Sequence, residues 1–177
     1  PNGSDFRANT TPGLHRYPMI AGLTNGNIVV GWRARLLPQL HLRMQIFGAN
    51  GPIGPELIPN IEITEPAMAP LDNGQFVVTH IRNAGDSEPG FETTVTQASV
   101  FEANGTLARR FPATGAPRIL SRWAAVAPLS GGRFLVAWTE ENVDNPAAGT
   151  NVGARVCSSQ GALGKAIVFG PNMQNFE

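Results

Sequence analysis

Hydrophobic and polar positions alternate in short runs along most of this chain, and the runs recur three times in the same order. Residues 23–32 (LTNGNIVVGW) return as residues 71–80 (LDNGQFVVTH) and again as residues 129–138 (LSGGRFLVAW). Each copy is a tight turn leading into a strand. Asn25-Gly26 and Asn73-Gly74 suit such turns because both residue types tolerate a positive φ, and Gly131-Gly132 does the same in the third copy. Extended in both directions, the pattern predicts strands at 18–23, 27–32, 42–47 and 53–58, then at 66–71, 75–80, 96–101 and 107–111. A third set follows at 124–129, 133–138, 152–157 and 164–169, and a further short strand is predicted at 5–8.

Four short antiparallel strands in a period of about 50 residues are the signature of a propeller blade. The predicted fold is therefore all-β: three four-stranded antiparallel blades of an incomplete β-propeller. A β-sandwich is the alternative, since it too uses many short strands, but it does not require a three-fold register. The whole chain reads as one repeat domain. Residues 1–17 are expected to supply a strand and loop of a preceding blade, with blades at 18–65, 66–123 and 124–177.

In the second strand of each blade, Ile28/Val30/Trp32, Phe76/Val78/His80 and Phe134/Val136/Trp138 share one face, and Val29, Val77 and Leu135 lie on the other. Apolar residues on both faces fit a strand held between neighbours. Known propellers close with typically four to eight blades, so three leave open ends. The expected open faces are Ile28, Val30 and Trp32 on the first blade and Phe134, Val136 and Trp138 on the third. Apolar patches of that kind mark protein contacts, which predicts a protein partner, or further copies or blades, completing the ring.

The pattern P-x-hydrophobic-A-x-L-x-[ND]-G-x-[FI]-V-V-x-W, followed by a strand and x-A-N-G, resembles the repeats of large secreted bacterial and protist surface proteins. These are often neighbours of haemolysin-type calcium repeats. In that family the third strand usually ends in an acidic D-x-x-G turn. The equivalents here are GANG at 48–51, EANG at 102–105 and SSQG at 158–161, without the aspartate. No cofactor is therefore expected; calcium is the one candidate considered. The resemblance implies an extracellular or cell-surface location. The reading that follows is a non-catalytic segment for adhesion or structural assembly through protein contacts. A carbohydrate-binding, lectin-like module is the alternative.

Length variation falls on one rim. From Trp32 to Ile46, His80 to Val100 and Trp138 to Val156 the separations are 14, 20 and 18 residues, whereas the tight turns keep their length. Loops presented by a rigid scaffold carry function, so the candidate binding residues are Arg33 and Arg35, Asp86 and Glu88, and Glu140, Glu141 and Asp144. The acidic loops suggest a cation, which takes several carboxylate and carbonyl oxygens. The arginines suggest a carboxylate or a sulfated sugar.

Composition narrows the classes. Thirteen basic and thirteen acidic residues cancel, so no field favours nucleic acid. No apolar run reaches the roughly 20 residues of a membrane-spanning helix, and no membrane insertion is expected. Cys157 stands alone, excluding an internal disulfide and a multi-cysteine metal site. Sequons at Asn2, Asn9 and Asn104 are candidate N-glycosylation sites. His15 and His41 read as loop residues, His80 as packing in the place of a tryptophan, and Cys157 as buried. No nucleophile motif or metal-ligand spacing occurs, so no catalytic residue, no metal site and no enzyme are expected.

Overall fold

The Asn-Gly turns do what their φ tolerance allows. Gly26 and Gly74 take φ of 82° and 88°, and Leu23 and Leu71 close each turn by donating to Asn27 and Gln75 at 2.7 and 2.8 Å. A computed structural model describes residues 5–36, 39–83, 93–114, 119–142, 145, 147 and 149–169. The first blade is a meander of β1 (Leu14–Gly22), β2 (Ile28–Leu36), β3 (Gln39–Gly48) and β4 (Gly51–Leu57). The second holds β5 (Thr64–Pro70), β6 (Phe76–Asn83), β7 (Thr94–Phe101) and β8 (Leu107–Pro112). The third holds β9 (Ile119–Leu129), β10 (Arg133–Asn142), β11 (Thr150–Ser158) and β12 (Ile167–Phe169). All pairing inside a blade is antiparallel, and one parallel bridge, Thr94 to Leu120, joins the second blade to the third. The fold is an incomplete propeller, and the sandwich alternative does not form.

The core lies between blades. Val29, Leu42, Met44 and Ile46 of the first blade pack against Phe76, Val78 and Phe101 of the second. On its other side the second blade offers Ala69, Leu71, Val77, Ala98 and Val100 to Phe134, Val136 and Trp138 of the third. Trp138 lies over Gly153, where any side chain would collide with the indole. Alternation along β6 thus serves two neighbours, and Phe76 through Ile81 are all buried.

Two expectations need correction. Phe134, Val136 and Trp138 are not an open face. They look back at the second blade and are at most 3% exposed, because this face of every blade turns toward the preceding one. For the same reason Ile28 is 42% exposed, whereas Trp32 is buried, with the His15 ring of β1 edge-on to it at 6.1 Å. The open face of the third blade is the opposite one, with half-buried Leu135 paired to exposed Val156. Nor is there a strand at residues 5–8. Phe6 packs on Phe47 at 5.0 Å, and Thr10 and Thr11 donate their N–H groups to the Glu56 carboxylate on β4. The segment satisfies a side chain instead of a backbone ladder. Burial works against the Glu56 charge, but the Thr10 and Thr11 donors and Arg43, 3.2 Å away, hold it below the usual carboxylate range.

On the tight-turn rim, Asp72 of the second blade latches the third. Its two oxygens accept the N–H groups of Gly131 and Gly132, each at 2.6 Å. The Gly132 bond, then the Gly131 bond, lowers its pKa below the ordinary 3.8. A depressed carboxyl pKa stabilises the fold above the unfolded value and ceases to do so as pH falls through the folded one. Asp72→Ala is therefore expected to melt at lower temperature than the parent at pH 7. The two curves should converge below pH 3.8, as followed by circular dichroism.

Candidate functional site

The chain leaving β4 runs back across the head of β3, where Leu42 donates to Ile61 and Ile63 donates to Leu40 at 2.8 and 2.9 Å. Ile61 and Ile63 are thereby buried, and Glu62 between them stays exposed at the head of β5. In the second blade Ala113 makes the equivalent bond to Thr96. Thr94 Oγ1 donates to the Ser121 carbonyl at 2.7 Å, fixing the head of β9 beside β7.

Between these heads, on the rim that varies in length, lies a groove of about 430 Å³. Glu62, Glu65, Arg82, Arg122 and Ser121 bear its chemistry. Its two acids and two guanidinium groups balance. The Ser121 hydroxyl is wholly buried and has no hydrogen-bond partner among the described residues. Glu65 is held in place: its Oε2 accepts the Trp123 N–H at 2.7 Å.

Both Glu65 and Trp123 sit in the left-handed region, with φ of 50° and 53°. Tyr17, at the same place in the first blade, has φ of 54°. Each marks a bulge. Two residues of the inner strand stand opposite one of its partner inside Arg16–Met19, Thr64–Ala67 and Arg122–Ala125. A left-handed backbone costs an L residue other than glycine about 1–2 kcal/mol.

Sequence-predicted candidates are scattered. Arg33 and Arg35 are not in a loop; they lie on β2, because the strand runs on past the core and the hairpin to β3 is short. Arg33 stacks over the Tyr17 ring at 4.3 Å. With Arg16 and Arg35 it borders a smaller hollow of about 240 Å³. Glu140 and Glu141 likewise lie in β10, and Glu140 accepts the Trp138 indole N–H at 2.7 Å. Arginines and acids are thus a blade or more apart. Asp86, Glu88 and Asp144 fall outside the described residues, as does Asn2. Asn104 is exposed on a turn, its Oδ1 accepting the Thr106 N–H, and Asn9 donates to the Thr11 carbonyl. His15 and His41 are strand residues of β1 and β3. No three His, Cys, Asp or Glu side chains converge among the described residues.

No protein-family model matches the chain, and no curated protein matches it. Solved structures do. A subtype N10 neuraminidase-like protein of A/little yellow-shouldered bat/Guatemala/060/2010 aligns with a TM-score of 0.52 and 11% identity, over 93% of this chain and 47% of that one. A Penicillium chrysogenum α-L-arabinanase complexed with arabinobiose aligns with a TM-score of 0.57 and 12% identity, over 87% of this chain and 49% of that one. Both are propellers, and the chain spans about half of each. At such identity the likeness concerns fold alone. It nonetheless corrects the expectation of a non-catalytic adhesion or assembly segment, and of a lectin-like alternative. Those readings took the repeat architecture as that of a surface protein, and the same architecture here matches an arabinanase with a bound disaccharide.

Proposed function

We propose that this chain is one arc of a glycoside-cleaving propeller and that its saccharide lies in the groove at the heads of β5 and β9. The groove's make-up carries the reading: two carboxylates, two guanidinium groups and a buried hydroxyl without a partner among the described residues, on the variable rim. Cleaving a glycosidic bond needs a pair of carboxyl groups. One protonates the leaving oxygen as the C–O bond breaks, and the other takes a proton from the water whose oxygen joins the anomeric carbon. Glu62 and Glu65 are the pair in this groove; Arg82 and Arg122 are donors for sugar hydroxyls. The open faces, Ile20 and Ile28 on one side and Leu135 and Val156 on the other, suit further blades that complete the ring around the groove.

The test is release of reducing sugar from arabino-oligosaccharides and a panel of aryl glycosides. Glu62→Gln and Glu65→Gln are each expected to lower turnover by about 10²–10⁴-fold, with unfolding midpoints near the parent's. No release from any glycoside by the parent chain, or full activity in both variants, would overturn the proposal.

A further inference from the structure

We propose that Trp123, the bulge residue bonded to Glu65 beside the groove, is its reading edge and stacks on an uncharged sugar unit; this rests on the saccharide reading above. The bulge recurs at one step of all three inner strands, and its first residue has φ of 54°, 50° and 53°. Bulges bend strands and re-aim side chains. If bending were the whole purpose, glycine would serve better, since it alone enters this conformation freely. The three positions instead hold Tyr, Glu and Trp. The side chains are therefore what these strained positions exist to present, as strain gathers at ligand clamps.

Their surroundings indicate the ligand. Trp123 is 66% exposed and Tyr17 45%, so neither ring is there to fill the core. One face of Tyr17 already carries the Arg33 guanidinium, which leaves the Trp123 indole as the open platform. Beside it Glu65 Oε1 has no partner among the described residues, while Oε2 is fixed by Trp123. An open indole next to a carboxylate oxygen suits the C–H face and hydroxyls of a sugar ring. The same carboxylate repels an acidic sugar, so uncharged units are favoured.

Trp123 also provides the readout. Of three tryptophans, Trp32 and Trp138 are buried, at 5% and 3% exposure, so a ligand-induced fluorescence change reports Trp123. The experiment titrates the full chain with arabinobiose and, separately, with sialyllactose, then repeats the titrations with Trp123→Gly and Trp123→Asn, both compatible with a positive φ. A saturable blue shift is expected with arabinobiose and none with sialyllactose. Calorimetry on both variants should show binding weakened by about tenfold or more, with a melting temperature equal to the parent's or raised by about 2–4 °C. Arabinobiose binding left unchanged in both variants, or sialyllactose bound as tightly, would overturn the assignment to Trp123 and leave the groove reading standing. Binding of neither saccharide, joined to an absence of glycoside cleavage, would overturn both. A lowered melting temperature in both variants would overturn the strain argument on which the assignment rests.

Discussion

Phe76→Ala is expected to remove about 3–5 kcal/mol of unfolding free energy, the usual effect of deleting a buried phenylalanine. Phe76 has no exposed surface and stacks on Phe101 at 5.1 Å with 12° between the rings. The pair stands where the first and second blades meet, with Met44 and Ile46 across the interface. A cavity there cannot collapse easily, because β6 is held by β5 and β7 on either side. Whole domains have about 5–15 kcal/mol to lose, so the variant should unfold at much lower urea. Ile28→Ala, on the open face at 42% exposure, is the control and should change little. Equal midpoints for Phe76→Ala and the parent would mean that the two blades do not share a core.

The second large effect is a loss of stability in mild acid, centred on His80. Burial, then the nearby Arg110, lowers its pKa from 6.5 to about 4. Its Nε2 meets Ser99 Oγ at 3.3 Å, and its Nδ1 is buried without a partner among the described residues. Between those two pH values the unfolded chain binds a proton that the folded chain refuses. Stability is therefore complete above pH 6.5, falls as pH drops toward 4, and changes no further from this group below that. A difference of this size corresponds to about 3 kcal/mol. Urea unfolding between pH 7 and pH 4 should show the slope in the parent and lose it in His80→Leu. A parent whose midpoint is flat across this window would show that the imidazole is protonated inside the fold.

The architecture was legible because it is written in turns and alternation. Gly26, Gly74 and Gly132 mark the hairpins, and the Ile28, Phe76 and Phe134 runs mark the strands they open into. Alternation separates two faces but does not say which one meets a neighbour, and so the third blade's open side was misplaced. The charged stretches around Arg33 and Glu140 read as loops because their polarity ends the core pattern, yet the strands continue as paired hairpins beyond it. The groove was missed for a related reason. Pro18 and Pro66 look like strand starts, since proline lacks an N–H to donate. The inner strands in fact begin at Leu14, Thr64 and Ile119 and pass through the bulge. The available signal was small: the residue just before P-x-x-A in the first two copies, and before Ala124-Ala125-Val126-Ala127 in the third, is Tyr, Glu or Trp, with no common character. Only the ladder register reveals that it is extra.

The meander within each blade also permits an order in time. Every strand pairs with the one made just before it, so a nascent chain can finish one blade before the next leaves the ribosome; such local contacts form early. By residue 57 the first blade is complete, and Leu42, Met44 and Ile46 stand uncovered until Phe76 and Phe101 arrive. The second blade then waits in the same way for Phe134 and Trp138. Each new blade is thus laid down on a surface already built to receive it, and growth of the arc has a direction that its finished form conceals.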